Sequence, residues 1–223
     1  MAAERPAATR RHGSVGEGES EGKPYHHGDL RAALIQAGLA ILAEGGAQAL
    51  TLRAAARRAG VSHSAPYRHF ADKEALLAAI AEEGFTQLAQ RLEQARGSAD
   101  RSARAQLEDA GWAYVHFAVT HPDHLRVMFG SHIADPERYP GMWAAGARAF
   151  AVLVEIIRSG QHAEALSAGE PQQLAFAAWA MVHGLALLLL DRQVPLALRG
   201  AYDQEQLVRL CLRQQYDGLG RHA

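Results

Sequence analysis

Residues 51–73, TLRAAARRAGVSHSAPYRHFADK, leave this chain few ways to fold. Thr51 is a good N-cap, and Leu52, Ala55, Ala56 and Ala59 follow at helical apolar spacing. Gly60 can take the positive backbone angle that stops a helix and turns the chain. Ser62 is placed to cap a second short helix running through Phe70, and Asp72 to cap a third that begins at Lys73. Two short helices joined by a tight Gly-containing turn make a helix-turn-helix. In the DNA-binding form of that motif the second helix enters the major groove and the first crosses the backbone.

The polar residues of the second helix suit such a surface. Ser62, His63, Ser64 and Arg68 are hydrogen-bonding types, and Ala65 is small enough to admit a base edge. Tyr67 and His69 can reach phosphates from the flank, Lys73 adds a charge, and Phe70 is the apolar anchor. The bare pattern also fits a helical corner with ordinary solvated side chains.

A wider set of residues carries a resemblance. Leu34-Ile35-Gln36-Ala37-Gly38, Ile41-Leu42 and Gly45-Gly46 are followed by Leu50-Thr51-Leu52-Arg53 and Ala59-Gly60-Val61-Ser62. Tyr67-Arg68-His69-Phe70 and Lys73-Glu74-Ala75-Leu76-Leu77 complete the series. At these spacings the stretch from Gly28 to about Leu77, roughly a quarter of the chain, resembles the N-terminal domain of the tetracycline-repressor (TetR) family of transcriptional regulators. Pro66 departs from the pattern, which more often has an aliphatic residue there; it bears on where the recognition helix starts and how it tilts.

The resemblance implies an all-α chain. Residues 1–24 would be a disordered arm, residues 25–75 a helix-turn-helix head, and residues 76–223 a helical body for effector binding and dimerisation. His63 and Ser64, then Arg53 and Arg68, are the first candidates for base readout. Thr51, Ser62, Tyr67, His69 and Lys73 complete the DNA-facing set, mostly by holding the head on phosphates.

Charge agrees weakly. The chain of 223 residues has a net charge of -1. Residues 25–80 carry six basic side chains against four acids, and residues 81–223 thirteen against sixteen. A mildly basic head on an acidic body fits local attraction to a DNA backbone. The lone Cys211 allows neither a disulfide framework nor a thiolate metal site, and its apolar neighbours suggest a buried position. Arg5, Arg10, Arg11 and Lys23 could form a groove-touching arm, although four glutamates interrupt them. No apolar signal core opens the sequence, so a cytoplasmic location is expected.

The body reads as helices throughout. One long helix, residues 72–96, leaves the head, and further helices span 102–120, 123–129, 142–160, 174–190 and 203–218. Loops with prolines are expected at 130–141 and around Pro195. The run LAFAAWAMVHGLALLLL has seventeen apolar-rich residues, short of the about 20 that a membrane span requires. No membrane partner is expected; by the resemblance, residues 171–190 and 203–218 would instead pair with those of a second copy in a four-helix bundle. Trp179 and His183-Gly184 resemble the Trp and His-Gly signature of one C-terminal subgroup.

Family members commonly hold a small effector in the body, and its binding releases operator DNA. Candidate lining residues are Trp112, His116, Phe117, Met128, Phe129, Met142, Trp143, Phe150, Trp179 and His183; core packing is the competing reading for each. His121, His124 and His132 raise a metal alternative, but Pro122 splits the first pair, and solvated loop histidines are the expected outcome. No phosphate loop, His-Glu-x-x-His or nucleophile elbow is present, so neither a cofactor nor an enzymatic activity is expected. A ligand sensor without DNA binding, and an activator of the same fold, remain as alternatives.

Overall fold

The computed structural model describes residues 27–98 and 100–219. The expected arm over residues 1–24, and His26, lie outside the described residues. Among these, the chain is all-α. The α-helices are α1 (His27–Ala49), α2 (Leu52–Arg58), α3 (Lys73–Arg96), α4 (Ala103–Thr120) and α5 (Pro122–Phe129). They continue with α6 (Pro140–His162), α7 (Pro171–Leu190), α8 (Leu196–Ala201) and α9 (Gln204–Leu219).

The helix starts follow the capping residues. Thr51 Oγ1 accepts from the Ala54 amide at 3.0 Å and Asp72 Oδ1 from the Ala75 amide at 2.8 Å. Ser102 caps α4 in the same way, and Asp203 and Gln206 exchange side-chain and backbone bonds at the head of α9. Gly60, at φ +70°, ends α2 in a Schellman turn: the Val61 amide bonds the Ala56 carbonyl and the Gly60 amide that of Arg57. Gly46 breaks α1 with an extended, positive-φ conformation, so the helix kinks there and regains one turn before Leu50.

Three expectations need correction. The loop expected around Pro195 contains the short helix α8. The seventeen-residue run belongs to the 20-residue α7, which starts at Pro171 as the 171–190 bounds expected, so it is not too short for a span. By length and composition alone, three helices could cross a membrane: residues 30–49 of α1, together with α6 and α7. Length therefore does not argue against a span, as the shorter reading implied.

The third correction is the recognition element, expected as a helix from Ser62 to Phe70. It is a single 3-10 turn, Ala65–Arg68. Pro66 has no amide to close an α-type bond on the Ser62 carbonyl, which takes the Ala65 amide at 3.1 Å instead. Ser62 does not cap the turn; its hydroxyl lies 3.3 Å from that of Ser64.

Head and body share α3. Leu76, Leu77 and Ile80, all buried, join Leu34, Ile35, Leu50, Ala55 and Phe70 in the head core. Two turns on, α3 packs mainly on α6, then on α4 and α5. α7 lies against α4 and α6, and α9 against α4. The Asp109 carboxylate ties α4 to α9 through Arg209 at 3.1 Å.

Candidate nucleic-acid interface and body cavity

The nine residues expected to face DNA lie at the start of α2, around the 3-10 turn and at the start of α3. Thr51, Arg53, Ser62, His63, Ser64, Tyr67 and Arg68 are exposed, and His69 and Lys73 half-exposed. Pro66 and Phe70, both buried, seat the turn that carries them. Arg53, Arg57 and Arg68 make no ion pair among the described residues, so their charge faces solvent. Arg58 differs: a bidentate pair with Glu44, at 2.6 Å on each arm, holds it against α1. That hydrogen-bonded pair holds the Glu44 carboxyl below its ordinary range. Lys73 is also partly committed, donating from Nζ to the Ala47 carbonyl at 2.5 Å, just beyond the kink of α1.

A cavity of about 500 Å³ lies in the body, walled by α3, α4, α5, α6, α7 and α9. Six of the ten candidate lining residues reach it: Met128, Phe129, Met142, Trp143, Phe150 and Trp179. Trp143 is 55% exposed and stands at the mouth. The other four do not line it. Phe117 is fully buried elsewhere, stacked on His121 with ring centroids 4.9 Å apart and under the Arg91 guanidinium. His116 is exposed, and Trp112, half-buried at the edge of the core, packs against it. His183 sits behind the wall, with Nδ1 2.7 Å from the Tyr114 hydroxyl.

Tyr114 was not among the candidates, yet it lines the cavity and joins His183 to Trp179, whose Nε1 donates to the same hydroxyl at 3.3 Å. Its signal was present in the sequence. Leu107, Ala110, Gly111 and Tyr114 follow the i, i+3, i+4, i+7 pattern, and all four line the cavity.

Of the three histidines expected as solvated, His132 is exposed, whereas His121 and His124 are packed. His124 is buried, tilted against Phe117 and His121, and its Nε2 has no hydrogen-bond partner. No group of three potential metal ligands occurs among the described residues. Burial, reinforced by His121 and opposed by Asp123, lowers the His124 pKa below its ordinary 6.5; burial alone lowers that of His183. Unfolding lets both rings take up protons near 6.5 that the native chain resists. Their contribution is therefore intact above pH 6.5 and is lost as pH falls below it. The melting temperature should drop between pH 7.5 and 5.0, and by less in His124→Gln. Equal slopes in the two proteins, followed by circular dichroism, would remove His124 as the cause.

Comparison with known proteins fits this geometry. Residues 34–80 match the bacterial regulatory proteins of the tetR family, and residues 107–214 the tetracyclin repressor-like C-terminal domain. No curated protein matches in sequence. A solved protein of unknown function from Rhodococcus sp. RHA1 is 34% identical, with a TM-score of 0.78, covering 90% of this chain and 100% of its own. A bacterial regulatory protein in the tetR family from Rhodococcus RHA1 is 21% identical, with a TM-score of 0.68 over 87% of this chain and 98% of its own. The transcriptional regulator FadR from Bacillus subtilis, solved in complex with stearoyl-CoA, is 17% identical, with a TM-score of 0.68 over 84% and 98%. The chain belongs to the TetR family. It is a DNA-binding transcriptional regulator and not an enzyme.

Proposed function

We propose that this regulator is a cytoplasmic homodimeric repressor that a small organic effector releases from a palindromic operator. Residues 25–75 are then the reading head, and residues 76–223 the effector and dimer body. One observation carries the reading: α3 is a single uninterrupted helix with two duties. Its first turns, at Leu76, Leu77 and Ile80, are core of the head, while Phe85, Leu88 and Leu92 line the cavity. A ligand that displaces those three side chains moves a rod rooted in the head, which favours one spacing of the two heads over another.

The dimer contact falls on α7. Phe176, Ala177, Ala180, Leu187 and Leu188 are exposed along one side of it. A helix so apolar is ordinarily covered on every side. FadR, with its stearoyl-CoA, supports the expectation that regulators of this fold take an organic ligand.

Selection of bound sites from random duplex DNA tests the reading. The expected product is an inverted repeat with half-sites about one helical turn, roughly 34–36 Å, apart. Enrichment of no sequence from effector-free protein at low salt would end the operator reading.

A further inference from the structure

The chemistry of the cavity wall narrows the effector, provided that the cavity is the effector site as proposed above. Its lining side chains include no Lys, Arg, Asp, Glu or His. Arg104, which lies 5.1 Å over the ring of the lining residue Tyr216, is already paired with Glu108 at 2.9 Å. An ionised ligand group placed inside would lose its hydration and meet no counter-charge. Aromatic faces dominate the rest. Phe129 lies 5.3 Å from Phe85 and 5.7 Å from Trp179, and Phe150 6.5 Å from Trp179.

The polar side chains of the wall are Tyr114, Gln215, Tyr216 and the indoles of Trp143 and Trp179. Gln215 already donates to the Ala177 carbonyl at 3.3 Å, and Trp143 is largely exposed, which leaves Tyr114 as the buried phenol of the set. A tyrosine hydroxyl has one donor and two acceptor positions. In Tyr114 the Trp179 indole fills one acceptor, and His183 Nδ1 takes a second position at 2.7 Å. One position is left whichever tautomer His183 holds: a lone pair if the ring accepts, the O–H if the ring donates. Burial raises the Tyr114 pKa far above its ordinary value, so the group stays a neutral phenol.

We propose that the cavity selects an uncharged, largely apolar, ring-containing ligand whose single polar end hydrogen-bonds to Tyr114, held in place by Trp179 and His183. Carboxylates and ammonium compounds of the same shape are rejected. Tyr114 is thereby the specificity-determining contact, and His183 acts through it as a positioning residue.

The test is calorimetric titration at pH 7.0 with biphenyl, biphenyl-4-ol, biphenyl-4-carboxylate and biphenyl-4-ylmethylammonium. The alcohol should bind about fivefold tighter than the parent hydrocarbon. Both ions should bind about a hundredfold more weakly than the alcohol. Tyr114→Phe should erase the advantage of the alcohol and leave the hydrocarbon unchanged. If that variant melts too early to use, the ranking by charge in the unaltered protein still decides. Gly146→Leu is the control for location. A Cβ at Gly146 would lie 3.7 Å from the Phe85 ring, an ordinary contact, and the longer side chain points into the cavity space. A carboxylate that binds as tightly as the alcohol overturns the uncharged class while the cavity reading stands. Binding of all four probes undiminished in Gly146→Leu, or of none to the unaltered protein, overturns the cavity reading and this inference with it.

Discussion

Phe176→Glu combined with Leu188→Glu should convert the protein to a monomer and weaken operator binding by about a thousandfold or more. Both side chains project from α7 into solvent in the single chain, at 58% and 48% exposure. Changing them should cost the fold of the monomer no more than about 0.5 kcal/mol. In a two-fold dimer each substitution appears twice, so four carboxylates would be forced into one apolar contact, at several kcal/mol in all. Loss of the dimer also removes the high effective concentration of the second head once the first has bound. Gly184 offers an independent probe. A Cβ there meets nothing within 4 Å in the single chain, so Gly184→Leu clashes only with whatever approaches from outside. Sedimentation should show a monomer for the double variant and a weakened dimer for Gly184→Leu. Melting temperatures should change little. A double variant that stays dimeric with unaltered operator affinity would place the subunit contact elsewhere.

How far the sequence could be read follows from which interactions are local. Thr51 and Asp72 cap helices within three residues of themselves, and both were readable because the bond is local. Gly60 was readable for the same reason. Pro66 was visible as a departure, but its consequence was not. Whether a missing amide shifts a helix or reduces it to one 3-10 turn depends on how Pro66 and Phe70 are buried. The body was harder. α4 is apolar on several faces, so Trp112 and Phe117 looked as suitable as Tyr114. Only the packing of α6, α7 and α9 decides that 107, 110, 111 and 114 form the cavity face. The histidines at 121 and 124 were expected as solvated although the helix over 123–129 was legible; what the sequence hides is that α5, from Pro122, sets both rings against Phe117. The expectation that α7 bundles with a second copy came from the family resemblance; in the single chain one side of α7 is apolar and exposed.

His63→Ala with Arg68→Ala should reduce operator binding by about a thousandfold while leaving binding to random DNA within a few-fold. Both side chains stand exposed beside the 3-10 turn, and Arg68 has no ion pair among the described residues. Their removal therefore disturbs no native contact and should leave the melting temperature unchanged. A good base contact discriminates by about 1–3 kcal/mol, and a dimer loses two copies of each, which brings the total to several kcal/mol. Arg68 also carries charge, so a small loss on random DNA is expected from it alone. Lys73→Ala should behave in the opposite way. It should weaken specific and random binding alike and reduce the dependence of affinity on salt by about one phosphate contact per head. Because Lys73 Nζ also holds the Ala47 carbonyl, that variant should melt slightly earlier, which the His63 and Arg68 changes should not. Titrating operator and random duplexes at several salt concentrations separates the two patterns. If the double variant lost affinity equally for both DNAs, the turn from Ala65 to Arg68 would be a phosphate clamp, and base reading would have to come from Arg53 and the start of α2.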